Sequence, residues 1–194
     1  MNEKNNTSTT ISTSKLTIQQ MAAIALMTAL MCVLGPLSIP IGPVPISFTN
    51  FVIYLAVYLL GTKSGTISYC IYLLLGMAGL PVFSGYSGGI AKLAGPTGGY
   101  LVGFIFMAVI TGIFIKIKPG TILLPVFGMV LGTVVAYIFG TAWFILQAKC
   151  TLWYALTACV FPFLIGDAVK ILLSSKIGPL IRNALNRAHL LEHL

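Results

Sequence analysis

Acidic residues are almost missing from this sequence. Its 194 residues hold three, Glu3, Asp167 and Glu192, against eleven lysines and arginines. Only 7% of the chain is charged and 58% is hydrophobic, whereas a soluble domain carries about 25% charged residues. That composition cannot cover a water-facing surface, so lipid must solvate most of the chain. A free cytosolic enzyme is excluded, and so is a secreted disulfide scaffold. Cys32, Cys70, Cys150 and Cys159 form no CxxC pair, and the two histidines, His189 and His193, sit in the carboxy-terminal tail. Cys32, Cys70 and Cys159 lie in apolar runs and read as small packing residues. The net charge of +8 has no basic cluster with interleaved aromatics, so nucleic acid is not a partner. No paired carboxylates exist for acid–base work. Gly61-Thr62-Lys63-Ser64 resembles the end of a phosphate loop, but Ala56 stands where that loop needs glycine. The chain therefore reads as no enzyme.

What is present is a series of apolar runs. A spanning helix needs roughly 20 apolar residues. Runs at 16–34, 48–60, 66–79, 98–115, 121–146 and 152–173 predict an all-α integral membrane protein with six transmembrane helices, the second and third short. The first run has no A-x-A-like cleavage site and is expected to stay as a helix. Residues 1–15, polar and rich in Ser, Thr and Asn, are expected to form a disordered cytosolic tail. With the amino terminus inside, Lys4, Lys15, Lys63, Lys116, Lys118, Lys176, Arg182 and Arg187 face the cytosol, and only Lys92 and Lys149 face outward. This bias predicts both termini inside. The division is then a tail over 1–15, a membrane domain over 16–175 and a basic cytosolic tail over 176–194.

Two connecting segments do not suit a simple bundle. Residues 35–47 carry Pro36, Pro40, Pro43 and Pro45 with almost no polar side chain, and residues 80–97 are rich in glycine. Non-helical backbone at membrane depth is tolerated only where protein buries it or where it lines a cavity. Both segments are therefore expected to dip into a cavity at the outer face.

Asp167 is the only aspartate, and it lies three residues from Lys170 in an otherwise apolar helix, so the two side chains share a face. Ionisable groups at membrane depth mark function by default. Two plainer readings compete: an internal ion pair that clips helices together, and a Lys170 that snorkels toward the inner interface beside Lys176. The spacing Ala25-x-x-x-Ala29 opens a flat face on the first helix where another helix can approach closely. Gly99-x-x-x-Gly103 and Gly128-x-x-x-Gly132 share that property, so the spacing alone does not separate a partner face from internal packing.

Four motifs carry a family resemblance: Gly42-Pro-Val-Pro-Ile46, Gly79-Leu-Pro-Val-Phe83, Gly95-Pro-Thr-Gly-Gly-Tyr100 and Gly166-Asp-Ala-Val-Lys170. With them the chain resembles BioY, the biotin-specific substrate-binding (S) component of energy-coupling factor (ECF) transporters, over roughly 16–180. Where that family commonly has a Gln-Thr pair, this chain reads Ser47-Phe48-Thr49-Asn50. The resemblance implies a substrate-binding membrane domain with a biotin pocket near the outer face. It also implies an EcfT-like transmembrane coupling subunit with two cytosolic ABC ATPases, and residence in a bacterial plasma membrane as a multi-pass protein. Ala25 and Ala29 match an alanine pair that packs on the coupling subunit. Biotin would be the transported ligand, and no cofactor is implied. Asp167 can accept from the ureido N–H groups and Lys170 can donate to a carbonyl or an anion, most simply at the ureido end, though Lys170 on the carboxylate stays open. Thr49 and Asn50 are candidates for a further polar contact. Lys92, or backbone N–H groups around Gly88 and Gly89, are candidates for the carboxylate; Phe83, Tyr86 and Tyr100 are candidates to cover the apolar ring. Another vitamin on the same scaffold, or a small ion-coupled carrier relaying through Asp167, remain alternatives.

Overall fold

The computed structural model describes residues 16–117 and 121–188; the tail expected over 1–15, Lys118, and the residues from His189 onward lie outside them. The described chain is almost wholly helical: α1 (Ile18–Leu34), α2 (Thr49–Met77), α3 (Ile90–Ala94), α4 (Gly98–Ile117), α5 (Leu123–Ala148), α6 (Leu152–Cys159) and α7 (Phe161–Arg187). A capping box starts α1, with the Thr17 hydroxyl accepting from the Gln20 backbone and the Gln20 side chain returning to Thr17 N–H. The buried stripe Ile24, Thr28 and Met31 then packs on α2, where the Thr28 hydroxyl donates to the carbonyls of Ile24 and Ser68.

The two short helices expected at 48–60 and 66–79 both lie within α2. At Gly61 the backbone takes φ +76° and ψ 176°, a conformation natural only to glycine. The chain turns back there: a Cβ on Gly65 would lie 2.8 Å from the Val57 Cα, whereas eight residues of straight helix span about 12 Å. Thus α2 is a helical hairpin whose limbs rise about 18 Å and 24 Å, with the reversal at one residue rather than across 61–64. By length and composition α2, α4 and α5 could each cross a membrane, or four spans if α6 and α7 count as one. That count takes α2 as one rod, which the Gly61 reversal contradicts.

The sixth predicted helix is broken. α6 and α7 meet at 41°, with Val160 at φ −123° and Pro162 in the first turn of α7. Proline suits a helix start, where its missing N–H is no loss. α7 also runs past 175 to Arg187, so the stretch expected as a tail is helical as far as it is described. The proline-rich segment 35–47 forms a small antiparallel hairpin that sequence reading did not anticipate, β1 (Ser38–Ile39) against β2 (Ile46–Ser47), with Ser38 opposite Ser47.

The core gathers around α2, which touches α1, α4 and α7, while α4 lies along α5. The glycine spacings on α4 and α5 serve this contact: a Cβ on Gly103 would sit 2.9 Å from the Ala136 Cα, and one on Gly132 3.0 Å from the Met107 carbonyl oxygen. Ala25 and Ala29 differ. They lie on the exposed face of α1 with Met21, Leu26 and Val33.

Candidate functional site

Four elements converge on Asp167. The carboxylate and Lys170 occupy one face of α7, three residues apart, and are 6% and 8% exposed. The first turn of α2 contributes Asn50, β2 the Ser47 carbonyl, and α5 Tyr137. Asp167 Oδ1 accepts from Asn50 Nδ2 at 2.7 Å and from Lys170 Nζ at 3.1 Å, while Oδ2 accepts from the Tyr137 hydroxyl at 2.5 Å. Lys170 also donates to the Ser47 carbonyl at 2.7 Å and to Asn50 Oδ1 at 3.0 Å. Its three protons are therefore all used. The carboxylate keeps free lone-pair capacity, since two ionised oxygens accept about four hydrogen bonds. Lys170 is turned inward, so the snorkelling alternative does not hold.

This cluster forms one wall of a cavity. Val44 and Pro45 of the β1–β2 hairpin, Phe163 of α7, Leu101 and Phe104 of α4 and Ala136 of α5 make its apolar walls. Thr49, Ser84, Thr97, Tyr100 and Thr133 add hydroxyls. The expectation that both irregular segments reach a cavity holds at these contacts: 35–47 supplies Val44, Pro45 and Ser47, and 80–97 supplies Ser84 and Thr97. Their other hydrophobics divide, with Val82 and Phe83 buried but Leu37, Ile39, Ile41 and Leu80 exposed. The cavity volume is about 60 Å³, well below the roughly 300–1,000 Å³ of sites that hold small molecules.

The hydroxyls differ in their partners. Tyr100 donates to the Cys159 carbonyl at 3.1 Å, and Thr133 shares its hydroxyl with Tyr54 at 2.6 Å. Thr49 Oγ1 accepts from Ser47 Oγ at 3.1 Å. Thr97 is buried and its hydroxyl has no partner. An unmet buried hydroxyl costs about 1–3 kcal/mol.

Of the residues expected from sequence, Asp167, Lys170, Asn50, Thr49 and Tyr100 meet at this cavity, and five do not. Phe83 is fully buried in the core, edge-on to Tyr72 with ring centroids 5.7 Å apart. Tyr86 is 66% exposed with φ +55°. Gly88 packs under the Leu80 carbonyl, and Gly89 precedes α3. Lys92 lies in the middle of α3 and does not line the cavity, and partial burial lowers its ammonium pKa. Tyr137, Ser47, Ser84, Thr97, Phe104 and Phe163 were not singled out from sequence. Tyr137 lies one helical turn from Thr133 on the polar stripe of α5, and that spacing was the available signal.

The chain matches the BioY family over residues 5–187. A protein of Thermotoga maritima named a biotin transporter BioY is 45% identical over 52% of this chain and 60% of its own length. One from Pyrococcus horikoshii named a probable biotin transporter BioY is 38% identical over 78% of this chain and 89% of its own. Among solved structures, the S-component for biotin from an ECF-type ABC transporter superposes with a TM-score of 0.79 at 34% identity, covering 86% of this chain and 92% of that one.

Proposed function

The chain belongs to the BioY family, and from that premise we propose that it is the biotin-binding S component of an ECF-type vitamin uptake transporter. The observation that carries this reading is the cavity walled by Asp167, Asn50, Lys170 and Tyr137. It sets one polar, charged wall against apolar ones, which suits a ligand with a polar ureido head and an apolar sulfur ring. Free lone-pair capacity on the Asp167 carboxylate takes a ureido N–H, and Asn50 and Tyr137 fix the carboxylate for it. Tyr100, Phe104 and Phe163 cover the ring. The unpartnered Thr97 hydroxyl, with Ser84, donates to the carboxylate end. Because the cavity is narrow, entry requires the 35–47 hairpin and the 80–97 segment to part.

In the membrane the six spans are α1, the two limbs of α2, α4, α5, and α6 with α7. Both termini face the cytosol, so the cavity opens outward in the plasma membrane. The short α2 limbs fall below the roughly 30 Å hydrocarbon thickness, which supports irregular segments reaching inward above them. The binding domain runs from residue 16 to Arg187, through an α7 whose last turns reach the cytosolic side. The chain is no enzyme, and energy comes from a coupling subunit with two ATPases. Ala25 and Ala29 receive that subunit, because theirs is the small-residue pair that stays exposed while the glycine pairs of α4 and α5 are used internally.

Uptake by reconstituted vesicles tests this reading. The chain with its coupling module and ATP should concentrate biotin, and the chain alone should not. Concentration of biotin by the lone chain along an ion gradient would overturn it in favour of an Asp167-based carrier.

A further inference from the structure

A larger cavity, about 690 Å³, lies at the other end of the bundle. It is bounded by Tyr58 near the Gly61 reversal, Ile115 at the end of α4, the start of α5, and α7 from Ser175 to Asn186. From Asn50 to Tyr58 the first limb of α2 rises about 12 Å, and from Asp167 to Arg182 α7 rises about 22 Å. The two cavities are thus separate sites.

Its chemistry is of one sign. Lys176 and Arg182 both line it, and Asn183 and Asn186 add amides. Among the described residues Asp167 is the sole carboxylate, and it is engaged with Lys170. Lys176 and Arg182 therefore have no anionic partner among those residues. Tyr58 supplies a second, independent observation. It is 4% exposed and its hydroxyl finds no hydrogen-bond partner. The ring cannot easily turn away, since Gly178 leaves room for no more than itself: a Cβ there would lie 2.7 Å from the ring.

We propose that this cavity binds a phosphate-bearing anion. A guanidinium offers paired N–H donors that match phosphate oxygens, and an ammonium adds a point charge. The Tyr58 hydroxyl and the two asparagine amides are neutral donors to the remaining oxygens. Ile115, Ile122 and Leu180 form apolar walls beside the charged groups, as suits a phosphodiester at the glycerol end of an anionic lipid; free phosphate offers the same oxygens without the chains.

The test uses the purified full chain in mixed micelles. Native mass spectrometry reads retention of phosphatidylglycerol against phosphatidylcholine, and calorimetry reads inorganic phosphate. Phosphatidylglycerol should be retained preferentially, by about thirtyfold or more. Lys176→Gln with Arg182→Gln should cut the preference roughly thirtyfold, about fivefold per charge, and Tyr58→Phe should reduce it several-fold with thermal unfolding unchanged. Binding of inorganic phosphate without lipid preference supports the same site with free phosphate as occupant. If the double variant unfolds, Lys176→Gln alone, on an exposed side chain, carries the fivefold reading. Equal retention of both lipids with no phosphate binding, or a preference untouched by these substitutions, overturns the proposal.

Discussion

Replacing Asp167 by asparagine separates the two roles that its geometry combines. In the folded chain Oδ1 holds Asn50 and Lys170, and Oδ2 holds Tyr137. Asparagine keeps an acceptor for Asn50 and Lys170 only by setting its NH2 against Tyr137, whose hydroxyl must then accept instead of donate. Lys170, 8% exposed, loses its counter-charge and keeps only neutral acceptors, among them the Ser47 carbonyl and Asn50 Oδ1. Breaking a buried pair costs about 3–5 kcal/mol, and the remaining neutral acceptors put the expected loss near 3 kcal/mol by that scale. Binding should suffer as well. A hydrogen bond to a charged group is worth about 1.5–3 kcal/mol, a roughly ten- to hundredfold loss of biotin affinity. Lys170→Met should damage both properties similarly, because it strands the carboxylate. The double variant Asp167→Asn with Lys170→Met has no unpaired charge left, so it should regain stability but not affinity. Thermal unfolding in detergent and isothermal titration with biotin read the two quantities separately. A double variant that recovered full affinity together with stability would show the pair to be scaffold alone, and would refute the assignment.

Four further outcomes follow from the same geometry. Tyr137→Phe removes one charged hydrogen bond from Asp167 and should weaken biotin about tenfold or more by titration. Thr97→Val removes a hydroxyl that is buried without a partner, so unfolding should be unchanged or slightly delayed while biotin affinity falls about fivefold; a destabilised variant with normal affinity would contradict this. Ala25→Leu with Ala29→Leu adds bulk to an exposed face, so biotin binding should persist while transport with the coupling module fails; normal transport in vesicles would show the face wrongly assigned. Gly61→Ala places a Cβ at φ +76° and ψ 176°, a region essentially confined to glycine, and should lower stability by about 1–3 kcal/mol in denaturant or thermal unfolding.

The residues legible in the sequence were those whose type is unusual for their surroundings. A lone aspartate and a lysine in an apolar helix announced the charged wall, whereas Asn50 came only through the family resemblance. The short runs on either side of Gly61 announced two helices because the chain there is too brief to form one straight span with a loop. Tyr137 and Thr97 gave no such sign. Tyr137 is one of eight tyrosines in the chain; its one-turn spacing from Thr133 marks a polar stripe on α5, but the carboxylate it serves lies 30 residues further on, in α7. Thr97 is notable for the partner it lacks, which no local pattern reveals. The break at Val160 had a local cue in Pro162, outweighed by the continuous apolar run around it. The β1–β2 hairpin was hidden by four prolines, which argue against strands in general but are tolerated between and beside two-residue ones. Phe83 and Tyr86 do not line the cavity, because aromatic type says nothing of direction: one faces the core and the other faces out.

The most direct measurement is equilibrium titration of the purified chain, folded in detergent, with biotin, thiamine and riboflavin, in the absence of ATP and of any partner. The cavity lies wholly within this chain, so biotin alone should bind saturably at one per chain. Folded protein that gives no binding with biotin, or that takes thiamine or riboflavin in its place, would contradict the assignment.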